Sequence, residues 1–133
     1  MNVAVEQMEQ VTPRPVKMAL ARGVRSKCPN CGKGSIFEKK LAVANECSEC
    51  GEEFFHHRAD DLPAYLNIFV VGHVVIGTMM AVMGSLALGL WPLTFLTVAI
   101  ALVVSFLLMR PLKGLVVAAQ WAFRMHGFGG QDD

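Results

Sequence analysis

Four cysteines, the only ones in the chain, are spaced in a way that suits one metal ion. Cys28 and Cys31 form a Cys-x-x-Cys-Gly pair, and Cys47 and Cys50 form a second pair after fifteen intervening residues. Two cysteines separated by two residues can reach one metal from a tight turn, and two such turns supply four tetrahedral thiolates. The glycine that follows each pair permits the backbone angles of such turns. The pattern therefore predicts a four-cysteine metal site.

Zinc with a structural role is the metal that this spacing favours, since four cysteines leave no coordination position for a catalytic water. A rubredoxin-like iron site and a redox-active dithiol pair are the alternatives, although the segment between the pairs is usually longer in rubredoxin. His56 and His57 can replace a ligand, but a place on the surface of the connector suits them better. A module this small rarely folds without a metal or disulfides, so we expect Zn²⁺ to drive its folding.

A long uncharged stretch follows the cysteines. Leu62 to Met109 contains no Asp, Glu, Lys or Arg, and only 17% of the whole chain is charged, against about 25% in typical soluble domains. A helix needs about 20 apolar residues to cross a bilayer, so this stretch predicts two spans, at 64–90 and 93–109. Trp91–Pro92 is the predicted break between them. A buried hairpin in a soluble protein is disfavoured, because fewer than 90 other residues would have to cover it.

The charges at the ends of this stretch predict its orientation. Arg58 precedes the first span, Arg110 and Lys113 follow the second, and the connection between the spans carries no cation. The positive-inside rule then places both termini in the cytoplasm. The formal net charge is only +1, which argues against nucleic acid as a partner.

The sequence thus predicts a mixed fold, with a small zinc-ribbon β module at 23–57, a transmembrane hairpin at 58–110 and an amphipathic helix with a loose tail at 111–133. The amphipathic helix is expected to lie on the cytoplasmic surface with Trp121 near headgroup depth, and a continuation of the second span is the alternative. Residues 1–22 are expected to be a disordered polar leader, with a short helix at Val16–Val24 as the lesser alternative.

Four polar residues near or within the first span are further candidates for function. Asp60 and Asp61, beside Arg58, can cap the start of the helix or contact a partner. His73 lies about ten residues into the span, where ionisable residues are rare and are functional candidates by default. Because neither span contains another His, Asp or Glu, a hydrogen bond to the facing helix is the role we predict for His73.

The segments "CPNCGKGSIF", "CSECG" and "HRADDLPAYLNIFVVGHVV", in this order, resemble the bacterial domain-of-unknown-function 983 family. The resemblance covers roughly residues 22–121. It implies a small zinc-ribbon protein of the bacterial inner membrane, with two spans and no assigned activity. Members of this family are often encoded beside subunits and assembly factors of haem–copper terminal oxidases. The residues that match its metal pairs, connector and first helix are Cys28, Cys31, Cys47, Cys50, Arg58, Asp60, Asp61, Pro63 and His73.

The expected function is therefore non-enzymatic. No nucleophile–base pair, phosphate-binding loop or open metal site is recognisable in the sequence. We expect an adaptor or assembly factor for a membrane complex, a respiratory terminal oxidase by the resemblance, with the lipid bilayer and a membrane protein as partners. A metal-sensing or metal-delivery protein is the first alternative, and a cysteine-based redox sensor is the second.

Overall fold

A computed structural model describes residues 13–58 and 61–128, and this part of the chain contains three helices. They are α1 at Val16–Val24, α2 at Leu62–Ser85 and α3 at Leu90–Ala122. The first twelve residues of the predicted leader, the predicted contact residue Asp60 and the acidic C-terminal tip lie outside the described residues.

The helices α2 and α3 form a hairpin, and both are long and apolar enough to cross a membrane. With 24 and 33 residues, they reach about 36 and 50 Å at a rise of about 1.5 Å per residue. Large apolar side chains cover their outer surfaces; Met80 is 73% exposed and Phe106 is 81% exposed. An apolar surface of this extent requires cover from lipid or from another protein.

The turn of the hairpin lies earlier than the sequence predicts. Residues 86–89 connect the helices, and α3 begins at Leu90, so Trp91 and Pro92 belong to its first turn rather than to a break. Proline is tolerated there because the amide groups of the first turn have no partner within the helix. The bounds 64–90 and 93–109 are therefore replaced by Leu62–Ser85 and Leu90–Ala122.

The helix α3 is one continuous element that passes through Pro111. The separate amphipathic helix predicted from residue 111 is not formed, and the alternative, a continuation of the second span, is what the structure shows. Proline removes one backbone hydrogen bond of a helix, but tertiary packing beyond Pro111 holds this one together. Val116, Val117 and Trp121 are buried there beneath the N-terminal part of the chain.

The helix α1 packs across this distal part of α3. The disordered leader is therefore wrong from Val16 onwards, and the alternative, a short helix at Val16–Val24, is what the structure shows. Ala19 and Gly23, one turn apart, form its buried face. A Cβ atom on Gly23 would lie 2.6 Å from the carbonyl oxygen of Gly114 and would overlap the side chain of Ala118. Only glycine allows this close approach of the two helices.

The cysteine-containing segment between α1 and α2 is made of tight turns. No β-strand occurs in the described residues, and the predicted zinc-ribbon β module is seen only as three isolated antiparallel bridges, Lys27–Ser35, Phe37–Val43 and Glu46–Glu53. Ile36 and Phe54 of this segment are fully buried, in a common core with Val117 and Trp121 of α3. We call residues 13–58 the N-terminal module; it is docked directly on the end of the second long helix.

Candidate metal centre

The four cysteine sulfurs converge on one point, with all Sγ atoms within 4.8 Å of one another. The Sγ atoms of Cys28 and Cys50 are 3.7 Å apart, and so are those of Cys31 and Cys47. Four thiolates bound tetrahedrally at about 2.3 Å would lie about 3.8 Å apart, whereas a disulfide requires about 2.05 Å. All four thiols are free, and their arrangement fits a single tetrahedral metal ion.

Each cysteine pair is carried by the same backbone turn. The amide of Gly32 donates to the carbonyl of Cys28 at 2.8 Å, and the amide of Gly51 donates to that of Cys47 at 3.0 Å. Both glycines have positive φ angles, +71° and +74°, in the left-handed region that side chains disfavour. These positive φ angles explain why a glycine follows each cysteine pair in the sequence.

The two sides of the site differ in burial and electrostatics. Cys28 and Cys47 are buried against the core, whereas Cys50 is exposed. Hydrogen bonds from the backbone amides at positions 34 and 33 lower the pKa of Cys31 to about 6, whereas burial raises the pKa of Cys28. Partial desolvation of its sulfur raises the pKa of Cys50, although the residue as a whole is exposed. The thiols of Cys28 and Cys50 need a neighbouring positive charge to ionise, which a metal ion would supply. The donor set therefore suits a thiophilic divalent cation.

Residues outside the cysteine motif hold the first turn in place. The guanidinium of Arg22, at the end of α1, donates to the carbonyls of Pro29 and Asn30 at 3.0 and 3.1 Å. The side-chain amide of Asn30 lies 3.6 Å from Cys50 Sγ and donates to it. A Cβ atom on Gly34 would overlap the sulfur of Cys47, so glycine is required there too. Sequence reasoning missed these roles, and the adjacency of "GKG" to the first pair is their only local signal.

Gln120 holds the connector between the module and α2. Its buried side chain accepts a hydrogen bond from the amide of Arg58 at 2.8 Å and donates to the carbonyl of the same residue at 3.1 Å. The Arg58 side chain is exposed, and its predicted contact with a partner remains a prediction. The sequence analysis missed Gln120, because nothing local pairs residue 120 with residue 58.

Arg14 attaches the N-terminal end of the module to the end of α3. Its guanidinium lies 4.2 Å from the centre of the Trp121 ring and donates to the carbonyls of Trp121 and Phe128, at 3.0 Å for Phe128. Burial lowers the pKa of Arg14 below its usual value. Trp121 is only 4% exposed, so the predicted position at headgroup depth is wrong; the module covers this ring.

The predicted site residues of α2 lie apart from the cysteines. Asp61 occupies the N-cap position of α2, but its side chain makes no capping hydrogen bond and is exposed. His73 is exposed, and its Nδ1 donates to the carbonyl of Phe69 at 2.7 Å within the same helix. The predicted hydrogen bond from His73 to the facing helix is therefore not formed.

The polar contact between the long helices is instead made by Asn67, whose Nδ2 donates to Ser105 Oγ at 2.6 Å. Asn67 is 3% exposed, and its position on the α3 side of α2 explains why it, rather than His73, makes this bond. Of the two connector histidines, His56 pairs with Glu53 at 3.1 Å. Among the described residues, the group that could hold a metal ion consists of the four cysteines alone.

One known family matches the chain. The family model described as "Protein of unknown function (DUF983)" matches residues 37–121, which include Cys47, Cys50, the connector and most of the helical hairpin. Cys28 and Cys31 precede the matched region, so their assignment to the site rests on the sulfur geometry. No curated protein and no solved structure is significantly similar to the chain. Because the family match covers well over half of the 133 residues, the chain belongs to the DUF983 family of proteins of unknown function.

Proposed function

We propose that the chain is a non-enzymatic integral membrane protein that acts as an adaptor or assembly factor for a membrane complex. The observation that carries this proposal is the continuity of α3, which links the apolar hairpin to the metal-binding module without a break. The helix α3 would then be one rigid element that holds two partners. One partner would contact the hairpin, and the other would contact the module at the membrane surface. The choice of a respiratory terminal oxidase as the complex rests on the family resemblance.

In this proposal the four cysteines hold a structural Zn²⁺ ion and the module is a minimal zinc ribbon. Support comes from the sulfur separations of 3.7 Å and from the two equivalent turns. All four positions of a tetrahedral ion would be filled by thiolates, which leaves none for a reacting water. The ion would hold together a segment whose backbone pairing is limited to three isolated bridges.

The proposed topology has α2 and α3 crossing the inner membrane of a bacterium, with both termini in the cytoplasm. The flanking cations Arg58, Arg110 and Lys113 support this orientation. The contact between the N-terminal module and the end of α3 supports it as well, because it requires both flanks of the hairpin to be on one side of the membrane.

One exposed face of α2 is suited to a partner helix within the membrane. His73, Gly77, Met80 and Gly84 follow the spacing i, i+4, i+7, i+11 and are all exposed. A Cβ atom on Gly77 or Gly84 would meet no atom within 4 Å, so these glycines do not serve the packing of α2 on α3. Small residues instead permit close approach of another helix. Since Nδ1 of His73 donates within α2, Nε2 is available to a partner on this face.

The proposal is tested by purifying the full-length protein from native membranes in a gentle detergent, with metal analysis and partner identification on the same sample. The expected result is about one zinc per chain and co-purification of terminal oxidase subunits. Deletion of the gene should lower the level and activity of the oxidase, and reintroduction of the wild-type chain should restore both. Unchanged oxidase in the deletion strain, together with no co-purified subunit, would exclude the assembly role.

Metal delivery is the second candidate function, and the exposure of Cys50 favours it. An acceptor thiol can attack the metal from this open edge, whereas a ribbon buried on all sides would exchange slowly. Isotopic zinc exchange separates the two functions. A delivery site should transfer its metal to an acceptor within minutes, whereas the structural site of an adaptor should retain it for hours. Cys50→His is the control variant for the zinc exchange measurement, because it alters the ligand at the exposed edge without removing it.

A further inference from the structure

A cleft of about 840 Å³ lies between the N-terminal module and α3, at the end of the uncharged stretch. Its walls are apolar, with Leu102, Phe106 and Leu107 contributed by α3 and Leu41 by the module. Phe106 is 81% exposed and Leu107 is 65% exposed, so no other part of the described chain covers this surface. The cleft is thus open on its apolar side.

Three cations line the same cleft, and each comes from a different segment. Arg25 directly follows α1, Lys40 belongs to a loop of the module and Arg110 lies on α3. All three are exposed, and no acidic residue is among the described residues that line the cleft. The ion pair observed in the described residues is His56–Glu53, which lies elsewhere. No carboxylate of the described chain neutralises the three cations, and an anion is the complementary ligand.

The order of these groups along α3 indicates which anion fits. Arg110 is the first charged residue after the uncharged stretch, and Leu102 lies eight residues earlier, about 12 Å deeper at a rise of about 1.5 Å per residue. The cations therefore lie at the boundary of the apolar segment, and the apolar wall lies below them. This is the polarity of a phospholipid, whose phosphate lies at the surface and whose acyl chains point inward.

We propose that this cleft binds a glycerophospholipid with a net negative headgroup. The phosphodiester would lie among Arg25, Lys40 and Arg110, and one acyl chain would lie against Leu102 and Phe106. A zwitterionic lipid is disfavoured because its ammonium group would face three cations. The inference rests on the proposed membrane location and goes beyond it, since it assigns a specific lipid class to a defined site. A bound lipid would join the N-terminal module and α3 at the membrane surface.

The test uses the full-length, zinc-loaded protein in a neutral detergent, with lipid binding measured by native mass spectrometry. Dioleoylphosphatidylglycerol should bind in preference to dioleoylphosphatidylcholine. Replacement of one cleft cation by Gln should weaken phosphatidylglycerol about fivefold, and the triple variant R25Q/K40Q/R110Q should weaken it roughly hundredfold. The matched control is K17Q/K27Q/K33Q, which removes three exposed charges that do not line the cleft. It should bind phosphatidylglycerol as the wild type does.

Equal binding of the two lipids by the wild type would overturn the inference, and so would equal weakening in both triple variants. Glycerol phosphate, which has the anionic group but no acyl chain, should not displace the lipid at matched concentration. Displacement by glycerol phosphate would instead assign the site to a free phosphate compound. Membrane partition and zinc content are measured on the same preparations. A wild type that is membrane-bound and zinc-loaded but lacks lipid preference refutes only this inference, whereas a chain absent from membranes refutes the proposed function.

Discussion

The close approach of α1 to α3 makes Gly23 the most sensitive position outside the cysteine site. We predict that Gly23→Ala destabilises the docked module. The new Cβ would lie 2.6 Å from the carbonyl oxygen of Gly114, and ordinary contact begins at 3.4 Å, so the helices would have to separate by about 0.8 Å. The obstructing atom belongs to the backbone and cannot be relieved by a change of side-chain rotamer. The overlap with Ala118 adds to the obstruction.

The magnitude follows from two opposing effects. Overpacking of a tight contact costs typically about 1–3 kcal/mol. Replacement of glycine by alanine within a helix recovers about 0.5–1 kcal/mol. With the middle of each range, the free energy of unfolding of the module should therefore fall by about 1 kcal/mol. Zinc release should also accelerate, because Arg22, the neighbouring residue, holds the first cysteine turn through the carbonyls of Pro29 and Asn30.

The assay combines chemical denaturation in detergent with the rate of zinc transfer to a chromogenic chelator. Gly72→Ala is the matched control, since Gly72 lies within α2 and a Cβ atom there meets no atom within 4 Å. The control should be neutral or slightly stabilising and should leave the rate of zinc release unchanged. If Gly23→Ala behaved like Gly72→Ala in both measurements, the inferred contact between α1 and α3 would be refuted.

Three further predictions concern the connector, the exposed face of α2 and the metal. Gln120→Leu leaves both backbone groups of Arg58 without their partner and should lower the free energy of unfolding by about 1–3 kcal/mol; a neutral denaturation curve would contradict this role. Gly77→Leu should abolish co-purification of the partner without changing zinc content, whereas Gly72→Leu, off that face, should change neither. Acidification from pH 7 to pH 5 should weaken metal binding, because protons compete with the metal for the thiolates. Competition with a zinc-sensitive dye measures the affinity at each pH, and an affinity that does not fall with pH would count against a four-thiolate site.

The four-cysteine cluster was predictable from the sequence because its determinants are local. A Cys-x-x-Cys-Gly turn fixes two sulfurs by short-range backbone geometry, and the chain has only two such turns. The two long apolar helices were predictable for a similar reason, since the absence of charge from Leu62 to Met109 leaves few other ways to place that stretch. The exact position of the connection between the two helices was not predictable, because Pro92 is as compatible with the first turn of a helix as with a break.

The docking of the module was not predictable, because it depends on contacts between distant residues. Trp121, at the end of an apolar helix, resembles a residue of the membrane interface, and only the position of Arg14 reveals that the module covers it. The role of Gln120 was not predictable for the same reason, since its hydrogen-bond partner is the backbone of the distant residue 58. The predicted second span ended before Pro111. The helix α3 continues beyond this proline because the N-terminal module packs against its distal part.

The core that docks the module also contains two of the four clustered cysteines, so metal binding at this cluster and docking should be coupled. Cys28 and Cys47 share this core with Val117 and Trp121. Loss of the metal removes the group that neutralises the buried thiolates, and we expect it to loosen the same core. Trp121 should then become exposed, and its fluorescence should shift to longer wavelength. Trp91→Phe isolates this signal, since Trp91 is the only other tryptophan and is already 71% exposed.

Chelation of the metal in the Trp91→Phe protein should therefore red-shift the Trp121 emission, and added zinc should reverse the shift. Cys50→Ser provides the intermediate case, because it removes the exposed ligand and leaves the two buried cysteines in the core. Its emission should lie between those of the zinc-loaded and the chelated protein. An emission maximum that does not move on chelation, in a sample shown to have lost its zinc, would mean that the module docks on α3 independently of the metal. The metal would then stabilise only the two cysteine turns, and α3 would not transmit its loss to the membrane hairpin.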